Sequence, residues 1–377
     1  MFKSIHIHTI VLWLSTFLFA GCGESTDDYA FVDRPVWVNL AISVSMTDVS
    51  LPVVKTVADA SSTVTGTVAD SPMPGTRAAE DALPAGNNEK INTLRIVIVR
   101  PDGIVEYNRF ISLSSAVDSY GDEKFEVLGN EKKRIYLFVN EGTEIKTAEG
   151  TMRKVVDYDL AAIKEGERFP AADISGLRIR LEDNTEQLAG PLPMSECHDI
   201  TVGETDSRHE LFVTRAAVKF SFNITNNSGR NIILKGLTIA RMAKEEYYLP
   251  KNTIYHDVVI DGVDCKEITS YDVPSDVGYY EYGSDKGLSE TLSAGSKVSL
   301  SPIYLLEGKY TAVEDERNYS MKIFFDGMEL GDWFPQLSRL PRNTHVVVNI
   351  TIGKTAVDWD VDVLPYIPVD LDPVFGL

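Results

Sequence analysis

The stretch "SECHD" sets three side chains of nucleophilic chemistry next to one another: Cys197, His198 and Asp199. A cysteine nucleophile needs a base within hydrogen-bond reach, and the base needs a third group to orient it. Neighbours on an extended chain point to opposite faces, so on a strand this trio cannot converge on one reacting atom. His209 and Glu210 have no metal-ligand spacing, and the chain contains no HExxH, GxSxG, phosphate-binding loop or CxxC. Asp358, Asp360 and Asp362 repeat as at the start of a calcium loop, but the glycine and the distant Glu of an EF-hand are missing. The sequence thus points away from an enzyme and implies no cofactor and no metal. One binding pattern stays open: Tyr279, Tyr280 and Tyr282 in "VGYYEYG", with Trp333 and Phe334 in "GDWFPQ", either line a shallow sugar-binding surface or fold back over a sandwich end.

The remaining reactive candidate is Cys22. Lys3 precedes the apolar run "IVLWLSTFLFA", whose length suits a signal-peptide core and is too short to anchor stably across a bilayer. The run ends in "FAGC", where the small residues Ala20 and Gly21 stand directly before Cys22, an arrangement similar to a bacterial lipobox. Residues 1–22 read as a lipoprotein signal peptide, with Cys22 as the acylated first residue of the exported chain. The other two cysteines, Cys197 and Cys265, could form one bridge or none.

The elements that would position any function are strands. From Val357 to Leu377 every odd position is apolar: Val357, Trp359, Val361, Val363, Pro365, Ile367, Val369, Leu371, Pro373, Phe375 and Leu377. Aspartates stand at many of the even positions between them, so the segment reads as one long strand with an oily face and a wet face. A strand of this kind at a chain end must be covered, or it recruits another chain. Near the other end, Val36, Val38, Leu40, Ile42, Val44 and Met46 alternate in the same way. Between this strand and the body lies a stretch rich in Ser, Thr, Val, Ala and Pro and free of aromatics, which reads as a flexible loop.

The body begins near Ile91. "INTLRIVIVRPDGIVEYNRFISL" is strand, turn, strand, and "KRIYLFVNEG" another strand. "VVDYDLAAIKEG" suggests a short helix, "LRIRL" and "GPLPMS" extended structure, and the polar stretch "VGETDSRHE" a boundary near Thr205. Beyond it, "LFVTRAAVKFSFNITNNSGRNIILKGLTIARM" suggests a hairpin turned at Asn226 to Gly229. Many short strands between Gly, Asn and Asp turns predict an all-β chain of two β-sandwich domains with short helices. The expected divisions are 1–22, the signal peptide; 23–77, a propeptide; 78–205 and 206–354, the two domains; and 355–377, the terminal strand. The 377 residues carry a net charge of −20, which argues against nucleic acid or an anionic membrane surface as partner.

Taken together, "FAGC", the amphipathic strand upstream of an arginine, the two β domains and the ending "NTHVVVNITI…VDWDVDVLPYIPVDLDPVFGL" resemble the fimbrillins, the type V pilin family. "FVTRAAVKFSFNI" resembles the opening of that family's second domain. The resemblance implies transthyretin-like sandwiches, a precursor tethered by lipid, and an arginine-specific protease that removes the N-terminal strand. It implies that the C-terminal strand of another subunit then fills the vacated groove. The removable plug strand is Val36, Val38, Leu40, Ile42, Val44 and Met46; the donor strand is Val357, Trp359, Val361, Val363, Ile367, Val369, Leu371, Phe375 and Leu377. Arg77 in "PGTRAAED" is the expected cut, since a cut at Arg34 would leave the plug attached. The implied partners are other pilus subunits and the protease, with a host glycan or protein receptor beyond them. The implied location is the outer membrane and a surface pilus, reached through the periplasm. The rival reading is a monomeric surface lipoprotein that binds glycans or a host protein.

Overall fold

The computed structural model describes residues 34–44, 54–59, 86–260, 263–275, 278–307, 319–333, 340–354 and 356–365. Its principal strands begin with β1 (Pro35–Val44), β2 (Val54–Asp59), β3 (Ile91–Val99), β4 (Val105–Val117), β5 (Ser119–Leu128) and β6 (Glu131–Val139). They continue with β7 (Met194–Val202), β8 (Ser207–Arg215), β9 (Val218–Asn226) and β10 (Ile232–Ala243). The last are β11 (Tyr279–Ser284), β12 (Ser320–Phe325), β13 (Met328–Trp333), β14 (Thr344–Ile352) and β15 (Ala356–Pro365). The fold is all-β, with sheets stacked in sandwich fashion.

The first sheet runs β4-β3-β6-β7-β8-β1-β5. It curls until its end strands touch: the Tyr107 ring on β4 meets Phe125 on β5 edge-on at 5.2 Å, and the Tyr107 hydroxyl donates to the Glu126 carbonyl at 2.6 Å. Inside the curl Leu94, Ile96, Ile98, Ile135, Leu137 and Val139 pack with the inward residues of β1, β5 and β8. Val97, Val99, Tyr136 and Phe138, on the other face of β3 and β6, join a second, larger core. Burial on both faces explains why "RIVIV" and "IYLFV" are continuously apolar rather than alternating.

The second sheet runs β2-β15-β14-β9, with Lys297–Ser299 and Ile303–Leu305 on the far edge of β9; the third runs β11-β10-β12-β13. Phe220, Phe222, Val346, Val348 and Ile350 of the second sheet share the large core with Leu234, Ile239, Met321 and Ile323 of the third. The chain passes from the first sheet to the second at Ala216 and Ala217, both fully buried, so β8 belongs with the strands before the polar stretch. Glu89 fixes the start of the body: its buried carboxylate accepts from Lys219 Nζ and from the Tyr304 hydroxyl, both at 2.6 Å.

Three expectations are corrected. The stretch 155–166 forms only a 3₁₀ turn, Leu160–Ala162, capped by the Asp159 side chain. Its aspartates compete for local backbone amides and favour a cap over a helix. The short helix is instead Ala171–Gly176, directly after Pro170. The expected hairpin at 226–229 joins β9 to β10, but these strands lie in different sheets and do not pair. The stretch between Met46 and Arg77 is not loop throughout, because β2 pairs with β15. Its Val and Thr residues suit a strand once an open edge is offered.

Candidate strand-exchange groove

β1 lies between β8, to which it is parallel, and β5, to which it is antiparallel. Val38 to Val44 stand in register with Ser207 to Val213, and Pro35 stands opposite Leu128 with an irregularity between Leu40 and Ile42. The alternation of the sequence becomes two faces: Val36, Val38, Leu40 and Ile42 are buried, at 5%, 1%, 0% and 1% exposure, whereas Trp37 is 47% exposed. Val44 is half-buried against the same core, and Met46 lies outside the described residues. Phe125 and Val127 of β5 and Leu211 and Val213 of β8 complete the lining. Burying each large side chain of β1 contributes roughly 1.5–3 kcal/mol.

Both ends of the strand are tied. Val44 N donates to the Asp118 carbonyl at 3.0 Å, Gly129 N donates to the Arg34 carbonyl at 2.9 Å, and Trp37 N donates to Asp206 Oδ1 at 2.9 Å. At Gly129 a Cβ would stand 2.7 Å from the Gly203 carbonyl oxygen and 3.1 Å from that of Arg34, so only glycine fits beside the entering chain. Neither neighbour of β1 adjoins it in sequence. Both β5 and β8 keep covalent links within the body, and Glu89 anchors that body downstream of β1, so the strand can depart without breaking a hairpin.

The expected donor divides in two. Val357, Trp359, Val361 and Val363 lie in β15, antiparallel to β14 and opposite Ile352, Ile350, Val348 and Val346. Only residues 353–355 separate β14 from β15 in sequence, and an antiparallel return is the local solution for so short a link. Ile367, Val369, Leu371, Phe375 and Leu377 lie outside the described residues, as do Cys22 and Arg77.

The other candidates do not assemble. Asp199 receives two bonds from Arg134, at 2.7 and 2.9 Å, while His198 Nε2 donates to the Phe212 carbonyl at 2.7 Å. Burial pushes the free thiol of Cys197 up to about 12 and holds His198 below its usual range, the reverse of an activated pair. Tyr280 is buried, its hydroxyl donating to the Glu186 and Asp183 carbonyls, and Tyr282 is half-buried and accepts from Gln187. Tyr279 alone of the three is exposed, with Arg241 over its ring. Phe334 lies outside the described residues, and Trp333 ends β13. Tyr280 and Tyr282 therefore brace the loop at 183–187.

Sequence reading missed the groove walls Phe125, Val127, Leu211 and Val213, although "KFEVL" and "LFV" carry the same alternation in miniature. It missed Asp206 and Gly129 because nothing local distinguishes them.

No protein-family profile and no curated protein matches the chain. Among solved structures, a candidate cell adhesion protein from Parabacteroides distasonis is similar at 14% identity, covering 88% of this chain and 97% of its own, with a TM-score of 0.48. The tip fimbrial protein Mfa3 from Porphyromonas gingivalis, truncated at its C-terminus, is similar at 10% identity, with 88% and 99% covered and a TM-score of 0.48. A fimbrial assembly protein from Parabacteroides distasonis is similar at 9% identity, with 88% and 98% covered and a TM-score of 0.41. The structural neighbours are fimbrial and adhesion proteins.

Proposed function

We propose that the chain is a subunit of a cell-surface pilus that polymerises by exchange of strands between copies. The precursor is exported with lipid on Cys22, cut after Arg77 by an arginine-specific protease, and loses β1. The C-terminal strand of another subunit, from Val357 onward, then enters between β5 and β8. The observation that carries this reading is the setting of β1: a strand buried on one face, paired on both edges, and joined in sequence to neither partner. Strand addition supplies main-chain pairing along both edges and reads register through the pockets that Val36, Val38, Leu40 and Ile42 fill in the precursor.

The test is maturation followed by assembly. The cut protein should begin at Ala78 and form ladders that survive mild detergent. Leu371→Asp should abolish the ladders, since a carboxylate in an apolar pocket costs on the order of several kcal/mol, and Asp370→Asn should leave them intact. A cut protein that loses residues before Ala78 yet stays monomeric overturns the reading. Cys22→Ser should remove incorporated fatty acid; equal labelling of the variant removes the lipoprotein step.

A further inference from the structure

The one segment of the expected propeptide besides β1 whose pairing is described is β2, and it does not lie in the first sheet. It lies on the outer edge of β15, at the far end of the second sheet, with β14 on the other edge of β15. The register is continuous over six pairs, from Val54 opposite Val361 to Asp59 opposite Ala356. Thr56 stands opposite Trp359 and Ala58 opposite Val357, while Lys55 stands opposite Asp360. The cap stops at Val361, and β15 itself ends at Pro365, which lacks a backbone donor.

We propose that β2 is a second removable element, a cap that masks the backbone edge of β15 in the uncut chain. Only residues 45–53 separate the end of β1 from the start of β2, and both strands precede Arg77. The upstream fragment is therefore bivalent: β1 grips the first sheet, β2 grips the second, and each raises the effective concentration of the other. One scission after Arg77 turns this intramolecular clamp into a separate peptide. Its departure opens the groove between β5 and β8 and, in the same event, the edge of β15 over residues 356–361. That edge fits one partner, a second copy of this chain. Pairing with the second copy's open groove can start there while β14 still holds the other edge. An uncut chain offers neither surface, which keeps the precursor from pairing prematurely.

The release step rests on the proposed cut at Arg77; the masking does not, and the experiment separates them. Hydrogen exchange is measured on the full uncut chain and on a variant carrying Thr56→Pro and Val57→Pro, which removes adjacent backbone donors from β2 and leaves β1 untouched. Exchange over residues 356–361 should rise at least tenfold in the variant, while amides of β1, β5 and β8 keep their protection. After cutting, the upstream fragment should leave the variant at least tenfold faster than it leaves the natural chain. Unchanged exchange over 356–361, or equal release rates, overturns the cap even if ladders form normally. A cap that behaves as described in a protein that never polymerises would leave the masking standing and remove the pilus reading.

Discussion

β1 and β15 carry the same alternating pattern at opposite ends of the chain, yet they are held in opposite ways. β15 is one arm of a hairpin with β14, so its nearest partner comes with it in sequence. β1 has partners on both edges, β5 and β8, and neither adjoins it in sequence. A hairpin arm re-forms by local search after any opening, whereas a strand recruited from far away depends on its buried face and on staying covalently attached. The difference teaches that how a strand is held depends on topology rather than on composition. Cutting the chain between β1 and β3 costs β1 its attachment and leaves every other strand of the first sheet joined as before.

The largest expected effect breaks that comparison most directly. Leu40→Asp and Val348→Asp each put a carboxylate at a site with 0% exposure, at a cost on the order of several kcal/mol. For Leu40→Asp the damage should stay local: β1 leaves, exchange rises along β5 and β8, and the amides of β9 and β14 remain protected. Val348→Asp should instead unfold the second sheet and its core as a unit. Hydrogen exchange with thermal denaturation reads both outcomes. Global unfolding by both variants would show that β1 is as integral as β14.

A smaller effect concerns the join between these regions. Glu196 on β7 lies fully buried, accepts from the Tyr255 hydroxyl and from the Cys197 amide, and stands near Arg342, which pairs with Glu246. Burial pushes its carboxyl up to about 7 against these opposing contacts. A carboxyl held above its unfolded value keeps its proton more readily when folded. Its contribution is therefore fully present below the unfolded value near 4.5 and is lost as pH rises through about 7. The loss is on the order of 3 kcal/mol, from roughly 2.5 pH units at about 1.4 kcal/mol each. Glu196→Gln should flatten stability between pH 4.5 and 7; an unchanged slope in urea melts would assign the pH dependence elsewhere.

Much of the fold was legible because one-sided burial writes period two into the sequence, as at β1. The rest depends on partners that sequence does not bring together. β2 reads as loop because Thr, Ala and Lys dilute its pattern, and the edge that orders it lies near the other end of the chain. The turn at 226–229 has hairpin chemistry, but local residues cannot tell a return along the same sheet from a crossing to the next. Continuous apolar runs at β3 and β6 hid two buried faces behind one strand assignment. Of the groove, the strand β1 was visible and its walls were not, since Phe125, Leu211 and Val213 gain meaning only when β1 lies between them. Contacts such as Glu89 with Lys219, or Glu196 with Tyr255, pair residues whose separation in sequence conceals them.

The smallest expected effect sharpens the contrast between the two faces of β1 itself. Trp37 is the largest side chain of the strand and the natural target for a disruptive change, yet it is 47% exposed, and its described tie to the body is made by its backbone amide to Asp206. Trp37→Thr keeps a residue suited to strands and keeps the amide, so stability should change by no more than about 0.5 kcal/mol. Asp206→Ala, on a residue outside the strand, removes the acceptor and should cost about 1 kcal/mol, with faster exchange at the Trp37 amide. If grip resides in the inward face and the backbone, the alanine variant must weaken β1 more than loss of the indole does. A larger shift in the urea midpoint for Trp37→Thr than for Asp206→Ala would place the grip on the outer face instead, and the groove would then hold its strand from the wrong side for exchange.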